Sequence, residues 1–341
     1  MAERRGWATL LSAIGAISIL AALFVIVGPQ RVVDALVSAD SRLVGVTIAF
    51  SLGWLFAWSL MLRTVLSTLD VTLSIPKATL VYAGAVFSNN VTPFGQAGGE
   101  PIAALLISKV SGSRYETGLA GIATVDVLNV LPSVSLIAVG VSYHATTTAL
   151  SDRVEAAVGS AAALIVAVIL ILWILWRYQA VVLTRVPSAI GWVARRLSRL
   201  GIDPAAIELA IADRLSGFAD RIEVLSENQA VLVGVLGFSL IGWLCQAAAL
   251  GAAFAAIGQP IPLYVPLFVV PLSYLAGAAP LPGGLGGIEA ALVALLVPTT
   301  GVAVASITAA VLVFRGGMFW LPTAIGGVSA SVLGVRVAGR S

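Results

Sequence analysis

The 341-residue chain has one cysteine, Cys245, and one histidine, His144. A lone cysteine excludes an internal disulfide framework and a Cys-x-x-Cys metal site. Charge is scarce as well: 10% of residues are Asp, Glu, Lys or Arg, and the formal net charge is +3. No Gly-x-x-x-x-Gly-Lys nucleotide loop occurs, so direct use of a nucleoside triphosphate is not expected. With this charge pattern, nucleic acid is not an expected partner, and no cofactor or metal is expected either. What is abundant is apolar: 59% of the chain, with a mean hydropathy of +1.04. A soluble domain of this length has no interior large enough for that, so the solvent is a bilayer.

Six apolar runs read as full crossings: 7–28, 43–66, 115–143, 156–176, 230–257 and 302–335. The first follows the basic start Glu3-Arg4-Arg5 but has no Ala-x-Ala cleavage site, which favours a retained helix over a signal peptide. Two further runs, 77–110 and 263–298, are broken by Gly and Pro. Their unbroken pieces are too short for a core of ~30 Å, so each is expected to form a re-entrant helical hairpin.

The two broken runs share the skeleton Pro-x-Gly-x-x-Gly-x-Glu. It occurs as Pro93, Gly95, Gly98, Glu100 and again, 189 residues later, as Pro282, Gly284, Gly287, Glu289. At the same shift Gly53-Trp54-Leu55 falls on Gly242-Trp243-Leu244, and Asp126 falls on Arg315. Interrupted membrane segments at matching places of two halves point to a midplane binding site in a transporter. With both termini cytoplasmic, all Lys and Arg lie inside except Arg31, Arg42, Arg153 and Arg315. The halves then run in opposite directions through a cell membrane. The expected fold is an all-α polytopic membrane protein, an inverted repeat in one transmembrane domain spanning 1–341. Residues 7–145 form the first repeat, and 156–176 with 230–335 form the second. Residues 177–229 form a cytoplasmic linker. In it, 187–200 reads as an interfacial helix and 204–228 as an amphipathic one.

Four ionisable residues fall inside the apolar runs: Glu100, Asp126, Glu289 and Arg315. Charges there are costly and usually face a partner or a cavity. Asp126 and Arg315 are expected to pair and tie the halves together. Glu100 and Glu289 start the second helix of each hairpin. They are read as ligands for a basic group, as proton exchangers, or as helix caps. The turn glycines, with Gly99 added in the first hairpin, free backbone N–H groups for a phosphate, and Asn89 and Asn90 add side-chain donors. Gly112, Gly118 and Gly121 are read as packing glycines. Trp54 and Trp243 fit either an interfacial belt or packing on the hairpins. Cys245 reads as a small buried apolar residue, and His144 as part of a polar loop.

The Asn89–Pro101 stretch, Asn-Asn-x-x-Pro-x-Gly-x-x-Gly-Gly-Glu-Pro, is similar to the transmembrane region of lysylphosphatidylglycerol synthases, as is the stretch from Leu281 to Glu289. This region, also called the flippase-like domain, occurs alone in bacterial and archaeal membrane proteins. The resemblance runs over roughly 10–335 and implies a domain that moves lipids, such as aminoacylated phospholipids, between leaflets. The synthases add a soluble aminoacyl-transferase domain. This chain ends soon after its last crossing, so synthesis of a modified lipid is not expected. Related regions attached to glycosyltransferases add polyprenyl-phosphate-linked sugars to the lipid substrates in view. The function expected is therefore transport of a membrane lipid, not catalysis. The other readings are a membrane-embedded enzyme acting on lipid phosphates, and a channel-like pore. Clustered carboxylates or a nucleophile with a base, which the first would need, are not evident.

Overall fold

A computed structural model of the chain describes residues 29–92, 96–148, 229–278 and 281–333. The crossings expected at 7–28 and 156–176, the linker up to Asn228, and Pro93 and Gly95 lie outside these residues. Every regular element among the described residues is helical. Five stretches are long and apolar enough to cross a membrane: Ser41–Ser67, Tyr115–Thr146, Gln229–Ala256, Pro282–Thr300 and Val304–Val332. Four of them coincide with crossings read from the sequence. The fifth falls in the second broken run.

Helix α1 (Pro29–Val37) lies on α10 (Val304–Arg315), with Val32 and Ala309 fully buried between them. Helix α2 (Ser41–Ser67) begins at Asp40, whose carboxylate accepts from the Arg42 N–H at 2.8 Å and so satisfies one free donor of the first turn. Its 27 residues extend about 40 Å, enough to cross with some tilt. It pairs closely with α7 (Gln229–Ala256).

Glycine makes the α2–α7 approach possible. A β-carbon on Gly53 would lie 3.2 Å from the Cys245 sulfur, and one on Gly242 would overlap the Trp58 indole. Small residues at such crossings let backbones close up where lipid tails give no hydrophobic drive. The Trp58 indole N–H donates to the Ser239 carbonyl at 3.2 Å. Its ring meets Trp54 and Trp243 edge-on, at 5.5 and 5.4 Å between centroids. Trp54 and Trp243 are therefore packing residues rather than a belt. Trp243 also meets Tyr274 in the second broken run at 5.8 Å. Cys245 is half-buried rather than buried.

Helices α3 (Ile75–Val91) and α4 (Gln96–Ser111) form the first broken run. The second consists of α8 (Tyr264–Tyr274), two 3-10 turns at Leu275–Ala278 and Pro282–Gly284, and α9 (Gly287–Thr300). Each of these α-helices is at most 17 residues, about 25 Å, shorter than a core of ~30 Å. With the 3-10 turn before it, α9 makes up the 19-residue stretch Pro282–Thr300, which is long enough to cross. Helices α5 (Tyr115–Leu128) and α6 (Val130–Thr148) follow one another with a break at Asn129. At the matching place of the second half, α10 passes through a π turn, Gly316–Trp320, into α11 (Leu321–Val332). Pro322 has no N–H to give the preceding turn, and the Leu321 N–H bonds back to the Gly316 carbonyl instead. His144, expected in a polar loop, lies in α6 against the rings of Tyr264 and Phe268.

Element boundaries recur at the 189-residue shift. Helices α2 and α7 end at Ser67 and Ala256, and α3 and α8 begin at Ile75 and Tyr264. Helices α4 and α9 end at Ser111 and Thr300, each followed by a left-handed glycine, Gly112 (φ 74°) and Gly301 (φ 66°). Helices α5 and α10 begin at Tyr115 and Val304. The halves also exchange partners: α3 lies on α11 of the other half, and α8 on α6. The core between them is built of Met61, Leu66, Leu106, Phe254, Leu292 and Phe314. Outward positions stay apolar, with Val233 70% and Val332 72% exposed, as a lipid-facing surface requires.

Candidate functional site

The turn from Pro282 to Gly287 takes a path closed to other residues. Gly283, Gly284 and Gly286 have φ of 54°, 66° and 81°, which side chains other than glycine rarely adopt. A β-carbon on Gly283 would strike the Phe319 ring and lie 3.0 Å from Asn90 Cα. One on Gly284 would lie 3.0 Å from Gly277 Cα, and one on Gly287 3.2 Å from the Ala276 carbonyl. These glycines form a tight turn and a backbone contact, beyond helix packing.

Glu289 stands in the first turn of α9, and Arg315 is the last residue of α10. The carboxylate suits the positive end of α9, whereas Arg315 lies inside the continuous helix that runs from α10 through the π turn into α11. Glu289 Oε2 accepts from the Gly286 N–H at 2.6 Å. Its other oxygen, Oε1, accepts from Arg315 Nε, also at 2.6 Å. The Arg315 and Glu289 side chains are 4% and 5% exposed. Arg315 Nη2 reaches the Gly283 carbonyl at 3.4 Å, and its guanidinium carbon lies 4.7 Å from the Phe319 ring centre. One carboxylate thus holds both the turn backbone and the arginine.

This corrects the pairing expected for Arg315. Its salt bridge is with Glu289 of its own half, not with Asp126. The reason is geometric. Helices α9 and α10 are neighbours, and a separation of 26 residues brings the start of one level with the end of the other. Asp126 occupies the corresponding place on α5, 26 residues after Glu100 on α4. Repeat equivalence relates the two places without putting them in contact. The equal spacing of Glu100–Asp126 and Glu289–Arg315 was the sequence signal for within-half pairing.

In the first half, Asn89 and Asn90 close α3, and the start of α4 crosses them at backbone range. A β-carbon on Gly99 would sit 2.5 Å from the Asn89 nitrogen. Gly98 lies in the same first turn of α4. Glu100 is buried at 8% exposure, and Asp126 is half-buried on α5. Asn90 Nδ2 donates to Thr323 Oγ1 at 2.7 Å, and that hydroxyl donates to the Phe319 carbonyl at 2.5 Å. Asn90, Gly283, Glu289 and Arg315 therefore come together around Phe319. Pro282 opens the turn that carries Gly283.

Phe319 and Thr323 of this centre, and Asn129 beside α7, were not singled out in the sequence, and Gly283 counted only among the glycines that break the second run. Asn129 Oδ1 accepts from Ser239 Oγ at 2.5 Å, and its carbonyl accepts from the Trp243 indole at 3.1 Å, tying the α5–α6 break to α7. An asparagine inside an apolar run was the available signal. Gln246 is fully buried, and neither end of its amide has a hydrogen-bond partner among the described residues. An apolar groove of about 570 Å³ between α6 and α8, lined by Val139, Tyr143, Tyr264 and Leu267, includes none of the charged residues. Among the described residues, no three of His, Cys, Asp and Glu gather as metal ligands would.

The sequence matches the model of the lysylphosphatidylglycerol synthase TM region over residues 10–326. It is 28% identical over 337 residues to a UPF0104 membrane protein of Methanothermobacter thermautotrophicus, covering 96% of each chain. A second UPF0104 membrane protein of that organism is 26% identical, over 83% of this chain and 81% of its own. The UPF0104 membrane protein PH1989 of Pyrococcus horikoshii is 23% identical, over 88% and 90%. With several apolar helices and a family match over nearly its whole length, this is a multi-pass integral membrane protein, and it belongs to the lysylphosphatidylglycerol synthase transmembrane-region family.

Proposed function

We propose that the protein is a lipid transporter that moves a phospholipid or a lipid-linked headgroup between the leaflets of the cell membrane. The observation that carries this reading is the buried Glu289–Arg315 pair, set in a glycine turn that touches the end of α3 in the other half. A charged pair in an otherwise apolar interior is costly to keep, and in membrane proteins such residues mark polar pathways. Its position between two interrupted segments is where transporters built from repeats bind their cargo. In this reading the halves are inverted, the broken runs are re-entrant, and both termini are cytoplasmic. The cargo is the membrane lipid itself, Asn90, Glu100, Asp126, Glu289 and Arg315 present the polar groups to its headgroup, and no catalytic step or cofactor is involved.

The test is lipid movement in vesicles reconstituted with the full chain. Fluorescent phospholipid on the inner leaflet is to become reducible by external dithionite in vesicles with the protein, and much more slowly in vesicles without it. Glu100→Gln is to slow it more than it lowers thermal stability, whereas Glu289→Gln lowers both, because it also breaks the buried pair. Movement no faster than in empty vesicles, for both phospholipids and polyprenyl-phosphate lipids, would refute the reading.

A further inference from the structure

The tip of the second broken run is held on two sides, and the two holds differ in kind. On its own side, the turn is fastened by a doubly bonded buried carboxylate: Glu289 takes the Gly286 N–H and Arg315 Nε, both at 2.6 Å. On the other side, Gly283 rests against Asn90, close enough that a β-carbon would lie 3.0 Å from both Asn90 Cα and Asn90 Oδ1. At this end of α3, which packs along α11, the Asn90 side chain makes one neutral hydrogen bond, from its Nδ2 to Thr323 Oγ1 at 2.7 Å. Thr323 is in turn oriented by the Phe319 carbonyl, and Phe319 forms the opposite wall of the Gly283 slot.

Hydrogen bonds to charged groups are about twice as strong as neutral ones. If the two sides part, they part at Asn90, while Glu289 and Arg315 keep the turn intact. We propose that the Asn90–Thr323 hydrogen bond is a latch. While it is closed, the end of α3 lies on Gly283 and holds the glycine turn against the other half. When it opens, the glycine turn moves as a unit with Glu289 and Arg315. This rests on the transport reading for its purpose, but the opening itself can be measured without transport.

The experiment is amide hydrogen exchange of the full chain in lipid nanodiscs, read on peptides covering 281–290. Asn90→Ala and Thr323→Val are each to raise exchange there about fivefold, the effect of one net hydrogen bond, with α2 and α7 peptides unchanged. Thr323→Ser keeps the hydroxyl and is to stay near the parent rate. Exchange within twofold of the parent in both variants would overturn the latch, as would an equal rise in every helix. Rates of lipid movement in vesicles form the second readout, and both opening variants are to move lipid faster than the parent. If the parent moves no lipid, the transport reading falls, and the exchange result still decides whether the bond is a latch.

Discussion

Replacing Glu289 with Gln removes one charge and keeps the shape of the side chain. In the native protein one oxygen accepts from the Gly286 backbone and the other from Arg315. Glutamine has a single acceptor oxygen, and its NH2 group must then face either the Gly286 N–H or the guanidinium, donor against donor. Arg315, 4% exposed, is left charged without its carboxylate. Removing one partner of a buried pair costs ~3–5 kcal/mol. The loss is to be read as unfolding free energy in mixed detergent micelles, with the parent as reference. Arg315→Gln is to cost a similar amount. The double variant Glu289→Gln, Arg315→Gln is to lose less than the sum of the two, because contacting residues couple by ~0.5–3 kcal/mol. The control is Asp126→Asn combined with Arg315→Gln, which is to be additive within ~0.5 kcal/mol. Two results would refute the reasoning: a cost below ~0.5 kcal/mol for Glu289→Gln, or a larger coupling of Arg315 to Asp126 than to Glu289.

Two more variants probe the packing that carries the site. Gly242→Ala puts a methyl group into the Trp58 indole, and the helix backbone of α7 cannot yield easily, so a loss of ~1–3 kcal/mol is expected from thermal unfolding. An unchanged melting temperature would mean that α2 and α7 are not pressed together there. Gln246→Met removes a buried amide that has no partner among the described residues and is expected to stabilise by up to ~1–3 kcal/mol. A loss of more than ~1 kcal/mol would show that the amide is bonded in the membrane.

Much of this architecture was readable before any coordinates. The apolar runs at 43–66, 115–143, 230–257 and 302–335 became apolar helices because a bilayer leaves the backbone no other way to satisfy its hydrogen bonds. The 189-residue repeat of Gly, Trp and Glu positions reappears in helix ends and in the left-handed Gly112 and Gly301. Glu289 and Arg315 were both singled out as site residues. Their pairing is not settled by the sequence, because Asp126 and Arg315 also have opposite charge and similar depth, which does not by itself put two side chains in contact. Thr323 carried no distinguishing mark, and Gly283 was marked only as one of several turn glycines, since neither belongs to the repeated skeleton.

Composition and spacing alone determined that the chain is a membrane protein and that it breaks at matching glycine-rich segments 189 residues apart. Those properties are local: they follow from hydropathy along the chain and from the residues that can take positive φ. Tertiary structure decided who meets whom. It put Glu289 against Arg315, Asn90 against Thr323 and Gly283, and Trp58 across Gly242. Contacts between residues as far apart as Asn90 and Thr323, 233 positions along the chain, depend on how helices cross. Crossing is settled by which small residues let two backbones approach, so it is a property of pairs of helices and not of either one.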